Sequence, residues 1–266
     1  MIFGFNRQPE LLDNDSVVWM FDVFDWAFAN FGNYTLPGDK VLIFPSNDHF
    51  PGRETSVEGM AALIFSQVKD YLGIPSLACD LQNEHGISHS EFLRSDGTEL
   101  LAVTGTEPIV FTYHSHTLNN PEVLIATFVH QVAYYIIGSA HNPPPGGKEN
   151  WPHTAELLAV FMGFGVIMAN TANTQKIRSC SSCSGPAVER ESFLSQYDVT
   201  YALAIFCALK HIPVKIVIPH LKKTLRTFYK KAYKDINKNK LSAINKPELL
   251  KTTYSLKDQN ITKGNH

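Results

Sequence analysis

Two runs of this chain are apolar on every side, and they constrain the fold more than any other feature. "VLIATFVHQVAYYII", residues 123–137, is interrupted mainly by His130 and Gln131, and "LLAVFMGFGVIMA", residues 157–169, is not interrupted at all. A helix that is hydrophobic all round belongs either in a membrane or in the centre of a packed core. The runs are 15 and 13 residues long, whereas a bilayer needs about 20. Both are therefore read as buried core helices, and no membrane span is expected. With 266 residues, 44% hydrophobic and 18% charged, the chain has the composition of a globular domain with a sizeable core. The start, "MIFGFNRQPELLDNDS", lacks a basic region followed by an apolar stretch and a small-residue cleavage site. Four cysteines do not make a disulfide framework, so a cytoplasmic, reducing location is expected.

Around these runs the hydrophobic periodicity marks further elements. In "DNDSVVWMFDVFDWAFANFG", residues 14–16 supply capping side chains, and Val17, Phe21, Phe24, Phe28 and Phe31 line one helical face up to Gly32. "DKVLIFPS", "PSLACDLQ" and "PIVFTYHSHT" read as strands, and "EGMAALIFSQVKDYLG" as a second helix. Pro121 and Glu122 open a helix that Gly138 closes, and a Pro/Gly-rich loop separates it from another helix over 153–172. Ser195 caps the helix in "LSQYDVTYALAIFCALKHI", and a basic helix with Leu221, Leu225 and Phe228 for packing follows. The expected fold is α+β: a helix-rich single domain over residues 1–240 with a small sheet, and a flexible tail over 241–266 with few apolar anchors.

Net charge is −2 but unevenly placed. Residues 1–207 carry 9 Lys+Arg against 22 Asp+Glu, and residues 208–266 carry 14 against 3. Such asymmetry marks either a basic arm for nucleic acid or another acidic partner, or a basic helix lying on its own acidic body.

The chemistry-bearing stretch is "FVHQVAYYIIGSA", residues 128–140. Zinc peptidases place two histidines at i and i+4 on one helix, with a glutamate after the first to deprotonate metal-bound water. Here the first position is His130, the base position is Gln131 and the second histidine position is Tyr134. The next helix carries a single acidic residue, Glu156, inside an apolar run, which is costly unless that carboxylate has a partner.

The run "PEVLIATFVHQVAYYIIGSA … AELLAVFMGFGVIMANTA … FLSQYDVTYALAIFCALK", together with "FPSNDHFPGRETSVEGMAALIF", resembles a group of uncharacterised bacterial proteins with a zincin-like HExxH helix. The likeness extends over most of residues 15–225. It implies zincin-like core helices, with His130 at the first ligand position, Gln131 at the base, Tyr134 at the second ligand and Glu156 at the acidic third ligand. A carboxamide cannot take a proton from water, and a phenol with an ordinary pKa near 10 is a poor substitute for imidazole. The expectation is a degenerate, pseudo-peptidase site without a cofactor, retained as a scaffold that binds a protein or peptide or serves structurally. In that reading His130, Tyr134 and Glu156 satisfy one another by hydrogen bonds.

Two alternatives stay open. A metal-dependent hydrolase with rearranged zinc ligands would use His130 and Glu156 with some of His114, His116, His141 and His153. A binder of nucleic acid or of an acidic partner would use the basic C-terminal segment. The pair Cys180 and Cys183 has the spacing of half a zinc knuckle, but only Cys79 and Cys207 remain to complete it.

Overall fold

A computed structural model describes residues 11–32, 42–83, 109–172 and 192–240. The Cys180/Cys183 pair and the 241–266 tail lie outside the described residues. The elements are α1 (Asn14–Phe31), α2 (Val57–Tyr71), β1 (Cys79–Asn83), β2 (Ile109–Tyr113), α3 (Pro121–Ile137), α4 (Trp151–Ala159), α5 (Gly165–Thr171), α6 (Gln196–Leu209), α7 (Val214–Val217) and α8 (Lys223–Asp235). The fold is α+β and helix-rich, and its one sheet among the described residues is a parallel pair, β1 beside β2 with Cys79 opposite Ile109 and Asn83 opposite Tyr113.

The two apolar runs form the centre. α3 packs on α4, α5 packs on α6, and α1, α2 and α8 close the outside against α4, α3 and α6 respectively. From Val123 to Tyr134 every residue of α3 is buried, as is every residue from Thr154 to Ala172. The stretch Lys148–Thr171 is long and apolar enough to cross a bilayer by composition alone, yet all of its apolar window is covered by neighbouring helices. The 13-residue apolar run thus sits within a longer helical path, close to the 153–172 stretch that the sequence marks as helical.

That path is not one helix. Between α4 and α5 the backbone passes through a wide, π-type turn at Val160–Phe164, where Gly163 takes φ 92°. Its carbonyl, released from the helical ladder, accepts the N–H of Ile43 at 2.9 Å. This explains a second departure from the sequence reading. The described part of "DKVLIFPS" is not a strand, because Leu42 and Ile43 are buried and Ile43 pairs with the kink instead. Helix α6 approaches just past the kink: a β-carbon on Gly165 would lie 2.7 Å from Leu203 Cδ1 and 3.0 Å from Val160 Cγ1. The expected effect of Gly163→Ala is a loss of about 1–3 kcal/mol from the forced left-handed backbone, measurable by urea denaturation. An unchanged midpoint would remove the kink's need for glycine.

Helix starts follow their caps. Asp13, not residues 14–16, caps α1 by accepting from Ser16 N at 2.8 Å. Ser195 and Asp198 form a reciprocal capping box on α6. The basic segment is fastened at its start by Asn170, which donates to Glu122 Oε1 (2.8 Å) and His220 O (2.9 Å) and accepts from Lys222 N (2.9 Å). Burial pushes the Glu122 carboxyl up, while the Asn170 hydrogen bond and the Lys222 charge hold it back. Leu221 and Leu225 are buried as expected. Phe228 is only half-buried, and Tyr229 makes the deeper contact.

Candidate functional site

Helices α3 and α4 bring three of the candidate residues into one neighbourhood. His130 is fully buried midway along α3, His153 is half-buried in the first turn of α4, and Glu156 is fully buried one turn later. The ring of Phe193 packs against both histidines. It stacks on His130 with centroids 5.4 Å apart and meets His153 edge-on at 5.7 Å.

Several of these polar atoms are engaged by main-chain groups. His130 Nε2 lies 3.0 Å from Pro152 O. A carbonyl only accepts, so this nitrogen carries the proton and donates, and its lone pair is not available to a metal. Glu156 accepts the N–H of Phe193 through Oε1 (3.3 Å) and that of Leu194 through Oε2 (2.9 Å). The lone carboxylate of the apolar helix therefore holds the strap, residues 192–195, that leads into α6. His153 Nδ1 is buried without a hydrogen-bond partner among the described residues. Burial holds the His153 imidazole below its ordinary value of 6.5, against the upward pull of Glu156 and Asp198.

The two altered motif positions go elsewhere. Gln131, 2% exposed, reaches the sheet: its Nε2 donates to Thr112 O at 2.9 Å, and its Oε1 accepts Thr112 N at 3.2 Å. It acts as a one-residue substitute for a neighbouring strand, tying α3 to β2. Tyr134 is buried edge-on against Trp151, centroids 6.0 Å apart, and burial raises its phenol above the ordinary value of 10. A phenolate ligand at neutral pH is thereby made less accessible still.

The remaining candidates are dispersed. His114 follows the end of β2 and His116 sits in a 3-10 turn, Ser115–Asn119, so the strand expected over "PIVFTYHSHT" stops before both. Their rings stack on each other at 5.2 Å. His141 is exposed in the loop that α1 pins, where its N–H donates to Asn30 Oδ1 (2.9 Å) and Trp26 Nε1 donates to Asn142 O (2.7 Å). Cys79 donates to Leu77 O at 3.4 Å, and burial in α6 pushes the Cys207 thiol up to about 12.

Among the described residues no group of three or more His, Cys, Asp or Glu side chains is arranged to hold a metal ion. Around the candidate residues, His130 Nε2 donates to a carbonyl, both Glu156 oxygens take backbone N–H groups, and Phe193 packs against both histidines. The residues that decide this, Pro152, Phe193 and Leu194, carry no motif. Phe193 and Leu194 come from a segment 37 and 38 positions beyond Glu156, and the only sequence signal near them is the Ser195 cap. Comparison with protein-family models, curated proteins and solved structures finds no match to the chain.

Proposed function

We propose that the chain is a degenerate zincin-like protein, a pseudo-peptidase whose core helices serve as a binding or structural scaffold without a hydrolytic centre. The observation that carries this reading is the two-point bond between Gln131 and the Thr112 backbone. At the position where a peptidase needs a carboxylate near metal-bound water, this side chain is committed to the sheet, and it uses both its donor and its acceptor to do so. Glu156 supports the same reading, since its carboxylate neutralises two backbone donors of the strap before α6.

The test is metal content by elemental mass spectrometry on untagged protein purified without chelator, before and after incubation with zinc. The expected result is no stoichiometric metal in either sample. About one zinc per chain, lost in His130→Ala, would overturn the proposal in favour of a hydrolase with rearranged ligands. His153, which shares Phe193 as a ring neighbour with His130, would then be the first replacement ligand to examine.

A further inference from the structure

The sequence shows that the C-terminal part is basic, and the structure shows how the charge is arranged. From residue 214 to 238 there are eight Lys/Arg and one acidic residue, Asp235. Asp235 accepts the hydroxyl of Tyr201 at 3.2 Å, which turns it toward α6. Arg226 is also spent internally, donating to Leu221 O (2.9 Å) and Pro219 O (3.1 Å). Among the described residues, Lys223, Lys230, Lys231 and Lys234 make no such bond. At about 100° per residue, Lys223, Lys230 and Lys234 fall within an arc of about 40°, diametrically opposite the arc that holds Leu225, Tyr229 and Ala232. The second arc is buried against α6, while all three lysines, and Lys231 beside them, are exposed.

We infer that this lysine face of α8 is a binding surface for the sugar-phosphate backbone of duplex nucleic acid, a role independent of the fate of the His130 cluster. Three observations select that partner. The apolar side of α8 is already used inside the fold, so the helix cannot bury a hydrophobic face in a lipid surface as interfacial helices do. Lysine is depleted in protein–protein interfaces but serves well as a hydrated point charge on phosphate. The lysine face itself carries no aromatic platform on which single-stranded bases would stack, since Phe228 lies to one side, packed against Tyr197 with centroids 5.0 Å apart. The excess of 22 Asp+Glu over 9 Lys+Arg in residues 1–207 repels a polyanion from that part of the chain and directs it to the basic C-terminal part, in which this face lies.

The experiment is fluorescence anisotropy of the full chain with a labelled DNA duplex of random sequence, titrated across salt concentrations. Engaging the four lysines gives a log–log salt slope of about −3.6, and Lys223→Gln/Lys230→Gln/Lys234→Gln together reduce its size by about 2.7 and weaken binding at low salt at least about tenfold. These side chains are exposed, so the variant is expected to keep its thermal midpoint, which is measured alongside. Duplex binding that the triple variant leaves unchanged would overturn the inference. So would binding to phosphatidylserine vesicles or to polyglutamate at the same salt with none to the duplex.

Discussion

Replacing Glu156 by alanine is expected to remove about 3–5 kcal/mol of stability, a large share of what a domain of this size possesses. The side chain is fully buried and bonds the N–H groups of Phe193 and Leu194. Each hydrogen bond to a charged acceptor is worth about 1.5–3 kcal/mol, and its removal leaves a backbone donor to be resatisfied in a poorly hydrated place. Glu156→Gln keeps one acceptor but turns an amide donor toward the other N–H, so roughly half the loss is expected. Urea denaturation of both variants, with and without a chelator, separates the strap from a metal site. Equal losses in both conditions fit a carboxylate that holds backbone. A loss in the alanine variant below about 0.5 kcal/mol, or one that chelator abolishes by lowering the parent, would refute that role.

Much of this arrangement is legible in the sequence. The apolar runs placed α3 and the α4–α5 path in the core, and Ser195, Pro121 and Gly138 marked their helix ends because capping is local chemistry. The cost of a lone carboxylate in an apolar helix required Glu156 to have a partner, but not which one. Its partners are main-chain N–H groups, and every non-proline residue carries one, so no side-chain pattern distinguishes Phe193 and Leu194. Main-chain partners that the sequence does not single out also engage residues of the expected cluster of His130, Tyr134 and Glu156. His130 is bonded to Pro152 O and Glu156 to the strap, while Tyr134 packs on Trp151. Gly163 lies within the stretch 153–172, which the sequence marks as one helix. At its positive φ its carbonyl accepts from Ile43 N, some 120 residues earlier in the chain, a pairing no local pattern signals. The lysines of α8 were countable from the sequence, yet their segregation from Arg226 and Asp235 needed the internal partners of those two residues.

The second large effect concerns the position that most resembles lost catalysis. Gln131→Glu, which restores the peptidase glutamate, is expected to destabilise the protein by about 2–4 kcal/mol at neutral pH. In the parent, the amide both donates to Thr112 O and accepts from Thr112 N at a site only 2% exposed. A carboxylate keeps the second bond, but it sets an oxygen against the Thr112 carbonyl and buries a charge. A protonated acid can donate there, so the folded state holds the proton more tightly than the unfolded chain, in which a glutamate titrates near 4.3. The sign follows: the penalty relative to the parent is full above the raised folded-state pKa, shrinks as pH falls through it and is gone below the unfolded value. Gln131→Met loses both bonds without adding a charge, so its smaller deficit is expected to be flat with pH. Stability curves from pH 7.5 to 4 distinguish the two variants. Should Gln131→Glu match the parent at pH 7.5, the residue would not be the clamp on β2. The pair Gln131→Glu/Tyr134→His is likewise expected to yield a less stable chain without stoichiometric zinc, because the ring of Phe193 and the Pro152 carbonyl still occupy the His130 side of the site. Tight binding of one zinc by that double variant would mean that the metal geometry survives beneath the two substitutions.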